Sequence, residues 1–359
     1  MTAARRGHAV VMPRLRRADC SQPGITRRRR GRGFEYVTEN GERLQDEETF
    51  ARIHELAIPP AWRDVWICRD ANGHLQATGI DGAGRKQYIY HPRWRERRDQ
   101  QKFDDMIAFA RVLPQMREVV DEHLQGDELD RQRVLAAAAR LLDRGFFRIG
   151  GEGYAEANGS YGLATIRKEH VTVEKGGTIV FDYPAKSGQR RVQAVVDPHV
   201  LPVVQQLKRR RGGTPELLAF RDGGRWRDVR SDDINDYLRE VTGHACSAKD
   251  FRTWNATVLA ALALAVAAPA AGASKTARTR AMTRATKEVS HYLGNTPAVC
   301  RASYIDPRVF DRFREGLTIG GVLPQLADVS ASSLQGPVEE AVLDLIAEEV
   351  SSPALEKVA

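Results

Sequence analysis

Ser290-His291-Tyr292-Leu293-Gly294-Asn295-Thr296-Pro297, continued by Ala298-Val299-Cys300-Arg301-Ala302-Ser303-Tyr304, is the stretch whose reading decides the rest. A glycine, two polar residues and a proline end a helix here. Beyond that turn, nine residues after Asn295, stands Tyr304. A tyrosine held at such a place can attack a phosphodiester. Phenol is a poor nucleophile at its ordinary pKa of about 10. It therefore needs cations that stabilise the phosphorane it forms and favour its own deprotonation. The chain should carry arginines to match.

Two blocks supply them. Phe146-Phe147-Arg148-Ile149-Gly150-Gly151 lies upstream, and Lys249-Asp250-Phe251-Arg252-Thr253-Trp254 lies between it and the tyrosine. In this order the arginine block, the Lys-Asp-x-Arg block and the Gly-x-Thr-Pro…Tyr block resemble the type IB DNA topoisomerases, above all the small bacterial and poxvirus-type members. The resemblance runs from about Ile58 to about Arg314. Its weight comes from several separate blocks in one order, since a lone tyrosine after a turn is ordinarily just packed or exposed.

The resemblance implies roles residue by residue. Tyr304 would be the nucleophile, with Arg148 and Arg252 clamping the nonbridging oxygens of the scissile phosphate. Arginine suits that task because its planar fork donates two directed hydrogen bonds and stays charged. Lys186, in the turn Pro184-Ala185-Lys186-Ser187-Gly188, matches the lysine that protonates the departing 5′ oxygen. Asn295 stands where many members carry histidine; it can donate a hydrogen bond but never becomes a cation. It also shapes the turn before Pro297. Lys249 is placed for a phosphate contact, and Tyr154 matches a DNA-contacting tyrosine.

The strand-like piece Arg85-Lys86-Gln87-Tyr88-Ile89-Tyr90 resembles the DNA-facing strand of the family's N-terminal domain. Its period of two puts Gln87 and Ile89 on one face and Lys86, Tyr88 and Tyr90 on the other. Gln87 would read base edges, and Tyr88 and Tyr90 would meet sugar and phosphate. The same pattern also fits an amphipathic strand whose tyrosines cover a core.

Composition agrees with a polyanionic partner. The 359 residues suffice for two domains, and a net charge of +8 favours nucleic acid, because basic proteins gain affinity by releasing its counterions. Cys20, Cys68, Cys246 and Cys300 are widely spaced, which argues against a zinc site or disulfide framework and for a reducing cytoplasm. No GxxxxGK[ST] phosphate loop and no obvious carboxylate cluster for a two-metal site occur. The resemblance implies a cofactor- and metal-free enzyme acting at the nucleoid, as a monomer clamping double-stranded DNA. The apolar run from Ala256 to Ala273 is interrupted by Pro269, so it reads as a buried helix, too short and weakly apolar for a membrane span.

Four segments follow from patterning. Residues 1–32, rich in arginine with Asp19 as the only acid, are expected to be a disordered basic arm; an organellar targeting peptide has the same composition. Residues 33–100 alternate short strands with turns and read as a small β-sheet DNA-binding domain. Residues 101–316 read as a mainly α catalytic domain bearing a three-stranded sheet, the α+β arrangement that tyrosine recombinases and type IB topoisomerases share. Residues 317–359 read as an acidic tail holding one amphipathic helix, weakly attached.

Two other functions remain open. A tyrosine recombinase shares the chemistry, and Leu293-Gly294-Asn295 is similar to its helix end, although Lys249-Asp250-Phe251-Arg252 replaces the usual histidine before the second arginine. A noncatalytic DNA-binding protein would keep salt-sensitive binding without a covalent adduct.

Overall fold

The computed structural model describes residues 14–326, 335–349 and 351–358. The chain divides into two compact units, Met1–Lys102 and Phe103–Ala359, each with its own hydrophobic core.

The first unit is an antiparallel sheet in the order β2-β1-β3-β4-β5. Its elements are β1 (Ile25–Arg30), β2 (Gly33–Val37), helix α1 (Glu47–Glu55), β3 (Arg63–Ile67), β4 (Leu75–Ile80) and β5 (Lys86–Tyr90). Ile25, Ile53, Ile58, Val65, Ile67 and Ala77 form its core.

Strand β1 lies inside the basic segment expected to be disordered, and corrects that expectation for the residues described. Backbone pairing to β2 and β3 orders it. Arg27 adds hydrogen bonds to the carbonyls of Ile58, Pro59 and Trp62, and its guanidinium lies over the Phe34 ring. Neighbouring arginines splayed along a strand repel little once solvated. Residues 14–18 are tied down as well, through Arg16 to Asn72 and His74 and through Ala18 to His74. Residues 1–13 lie outside the described residues.

Helix α2 (Pro92–Leu124) leads into the second unit, followed by α3 (Arg131–Gly145), α4 (Glu152–Asn158) and the three-stranded sheet of β6 (Val171–Val173), β7 (Ile179–Pro184) and β8 (Arg190–Val195). After α5 (Val200–Arg209) comes a second hairpin, β9 (Ala219–Asp222) and β10 (Arg225–Asp228). Gly223 and Gly224, both at positive φ, make its turn. The remaining helices are α6 (Ser231–Thr242), α7 (Ala248–Ala271), α8 (Lys275–Leu293), α9 (Pro297–Ser303) and α10 (Pro307–Arg314).

Helix α3 is buried almost along its whole length, with Arg133, Arg140 and Asp143 buried among its apolar residues. Helix α7 packs against α3 and α8. By length and composition α7 could cross a membrane, which corrects the view that this run is too short. Its Phe251, Trp254, Ala261 and Leu264 are instead buried in the protein core.

The tail is not weakly attached. Beyond β11 (Leu317–Thr318) and α11 (Leu323–Leu326), helix α12 (Pro337–Ala347) buries Val338, Ala341, Val342, Leu345 and Ile346, and β12 (Glu356–Lys357) pairs back on β11. Acidic residues hid this, because one of the tail's charges, Glu339, is an internal partner. Arg117 is bound by both Asp143 and Glu339, and the Trp254 indole N–H donates to Glu339 at 2.9 Å.

Candidate active site

The turn that opens the sequence reading joins α8 to α9. Gly294 ends α8 at φ +61°, where its N–H reaches back to Ser290 and His291 carbonyls. Thr296 then caps α9, with Pro297 in the first turn. Tyr304 follows at the C-terminal end of α9, its N–H bonded to the Cys300 carbonyl. Two residues on, the Asp306 N–H donates to the Thr257 hydroxyl of α7 at 3.1 Å. The tyrosine is thus fixed from both sides, with its side chain only partly buried.

Arg252 comes from the first turns of α7. Asp250, the acid of the Lys-Asp-x-Arg block, starts that helix by accepting from the Ser247 N–H and hydroxyl. Arg252 is 4% exposed. It donates to the Phe146 carbonyl at 2.6 Å and the Leu293 carbonyl at 2.9 Å, and its guanidinium carbon lies 5.2 Å from the Tyr304 ring centroid. Its buried Nε has no partner among the described residues. Burial, then the nearby Arg148 charge, pull its pKa down to about 10, with Tyr304 acting in the opposite direction.

Arg148 sits on the loop after α3. That loop is shaped by Phe146 in the left-handed conformation and by Phe147, buried against the rings of Phe181 and Tyr183. It is held against the 162–165 segment, where Leu163 and Ala164 donate to the carbonyls of Arg148 and Ile149. The backbones come so close that a Cβ on Gly162 would lie 2.5 Å from the Gly150 Cα. This explains the Gly-Leu-x-Thr pattern at 162–165 as a packing requirement. Arg148 donates to the Gly294 carbonyl at 2.8 Å and to the Asn295 side-chain oxygen. With that oxygen committed, the Asn295 Nδ2 is the available donor; it is buried and unpartnered among the described residues.

Arg148, Arg252, Asn295 and Tyr304 therefore meet at one corner. Lys186 is not joined to it by any hydrogen bond or ion pair among the described residues. It is exposed on the β7–β8 turn, three residues beyond Tyr183, whose buried phenol lies near Arg191, Arg252 and Arg148. Lys249 is exposed in the first turn of α7, and Tyr154 is 42% exposed on α4. In the first unit, Tyr88 and Tyr90 share a face and stack at 6.1 Å, and Ile89 packs toward the core, as period two requires. Gln87 donates its amide to Asp81, so one of its base-reading donors is already engaged.

One residue at the corner was missed. Arg191 of β8 donates to the His291 carbonyl at 3.0 Å and to the Tyr292 carbonyl. The signal was present: Arg191, Gln193 and Val195 alternate on the more buried face of β8, and an arginine there is out of keeping with an ordinary amphipathic strand.

Comparison with known proteins shows the family. The family model of the eukaryotic DNA topoisomerase I catalytic core matches residues 91–317. The chain belongs to the type IB DNA topoisomerases. The model of the bacterial DNA topoisomerase IB N-terminal domain matches residues 33–81 of this topoisomerase. DNA topoisomerase 1B of Acanthamoeba polyphaga mimivirus is 29% identical over 288 residues, covering 79% of this chain and 85% of that protein. DNA topoisomerase 1 of Schizosaccharomyces pombe is 31% identical over 131 residues, which cover 36% of this chain but 15% of the longer relative.

Proposed function

We propose that this topoisomerase relaxes supercoiled DNA by transiently joining one strand to Tyr304. The Tyr304 oxygen attacks the scissile phosphorus as its proton leaves to water, and the bond from phosphorus to the 5′ oxygen breaks. Lys186 hands a proton to that departing oxygen. The product is a 3′-phosphotyrosyl bond and a free 5′-OH; the cut strand swivels, and the reverse attack reseals it.

Arg148, Arg252 and the Asn295 amide surround the phosphorane oxygens. Such fixed donors are worth most where charge develops and water is excluded. Ester energy is retained in the tyrosyl bond, so the cycle needs no nucleotide, and guanidinium charge takes the place of a metal. The DNA contacts include Gln87, Tyr88, Tyr90, Tyr154 and Lys249, and the protein acts as a cytoplasmic monomer clamping the duplex. Its second unit takes the catalytic fold shared with tyrosine recombinases.

The observation that carries this reading is the Arg252 guanidinium lying 5.2 Å from the Tyr304 ring at the same helix end as Arg148 and Asn295. The test is relaxation of supercoiled plasmid in EDTA without nucleotide. Wild type is expected to relax it and to be trapped on the 3′ side of a nick; Tyr304→Phe is expected to bind DNA and do neither. A strict requirement for magnesium and ATP, or an active Tyr304→Phe, would refute it.

A further inference from the structure

The last carbonyls of a helix lack intrahelical partners and carry roughly half a negative charge. At the end of α8 this negative pole points into the corner where, on the reading above, a phosphate must bind. An uncorrected pole would repel that anion. Four successive carbonyls are taken up by three guanidiniums: His291 and Tyr292 by Arg191, Leu293 by Arg252, and Gly294 by Arg148.

The three arginines are not equivalent. Arg148 and Arg252 are the groups proposed to turn toward phosphate oxygens, whereas Arg191 commits both terminal nitrogens to the helix end. Its seat is built in. A Cβ on Gly294 would lie 3.0 Å from the Arg191 Nη1 and 3.1 Å from its Cδ, so Arg191 lies tight against the backbone of the turn, where the positive φ already favours glycine. Beneath it, the Tyr183 hydroxyl donates to Gln193 at 2.7 Å. Asn295, being neutral, cannot offset the pole.

We propose that Arg191 is a positioning residue of the transesterification: it neutralises the C-terminal pole of α8 and fixes the turn bearing Asn295, so that Arg148 and Arg252 can serve the phosphate. The inference rests on the Tyr304 reading. Burial and the neighbouring Arg148 charge both work against the Arg191 cation, with Tyr183 partly compensating.

The test is single-turnover formation of the covalent adduct on a duplex oligonucleotide. Arg191→Ala is expected to slow cleavage by about tenfold or more, while noncovalent affinity, measured in the Tyr304→Phe background, is unchanged. The same comparison is then run on a substrate whose scissile phosphate carries a methyl group in place of one nonbridging oxygen and is therefore neutral. Because the pole has less charge to repel, the deficit of Arg191→Ala should shrink on it. An equal deficit on both substrates, no deficit, or a loss confined to binding would overturn the proposal. Should Arg191→Ala not fold, Arg191→Gln keeps a hydrogen-bonding stem without the charge, and its deficits on the two substrates carry the same comparison. An adduct formed by Tyr304→Phe would instead sink the underlying reading, whatever Arg191 does.

Discussion

Arg252 faces the Tyr304 ring with its guanidinium carbon 5.2 Å from the centroid, while its terminal nitrogens hold the Phe146 and Leu293 carbonyls. One side chain thus ties the loop of Arg148, the end of α8 and the tyrosine together. Arg252→Lys keeps a charge but cannot span these partners. Its cleavage rate is expected to fall on the order of a hundredfold, and the two carbonyls it abandons should cost about 1–3 kcal/mol each. Adduct formation and thermal melting measure the two effects separately.

The tail predicts a stability effect remote from chemistry. Glu339 holds Arg117 and Trp254, and Asp143 holds Arg117 from the other side. Burial opposes the Arg117 charge, but Glu339 and Asp143 outweigh it and raise its pKa. Glu339→Gln is expected to destabilise the second unit by about 3 kcal/mol, the usual result of breaking a buried pair, seen as a lower melting temperature. Removing everything after residue 326 should lower it further.

Acid titration should expose the β4–β5 turn. Asp81 accepts from the Ala83 and Arg85 N–H groups and from Gln87, and its pKa falls to about 2, with the Arg85 backbone bond the largest cause. A depressed carboxylate pKa contributes stability above the unfolded value near 3.8, lost as pH falls through about 2. The melting difference between wild type and Asp81→Asn should therefore be constant above about pH 4 and close below it.

Thiol labelling offers an independent check on packing. Cys300 is fully buried on the inner face of α9, and burial pushes its thiol up to about 11, the Arg252 charge opposing. Burial also raises Cys68 and Cys246, whereas Cys20 is partly exposed. At pH 8 a thiol reagent should modify Cys20 first and reach Cys300 only on unfolding; rapid native labelling of Cys300 would contradict the packing of α9.

The sequence disclosed what depends on local pattern. The Gly294 to Pro297 turn, the three-stranded sheet and the alternation of Tyr88 and Tyr90 follow from backbone chemistry over a few residues. Arg148, Arg252, Asn295 and Tyr304 were legible through motif order, and the structure gathers them at one corner. What stayed hidden depends on distant partners. Arginines in β1 look like a repelling run until β2 pairs with them, and Glu339 looks like surface acid until Arg117 meets it. Arg191 looks like one of two adjacent strand arginines, and only the end of α8, far away in sequence, gives it meaning. Lys186 remains on an exposed turn, a position its motif could name but not connect.

The stitching of the chain on both sides of residue 304 has a mechanical consequence. In the covalent intermediate proposed for Tyr304, a strand unwinding under torque would pull on the tyrosine. Asp306 is bonded to Thr257 and the distal chain returns through α12 and the β11–β12 ladder, so the load is delivered in shear to a buried helix. A nucleophile on a loose end would be held by its own helix alone; here Tyr304 is anchored on both sides, by α9 before it and by the Asp306–Thr257 bond after it.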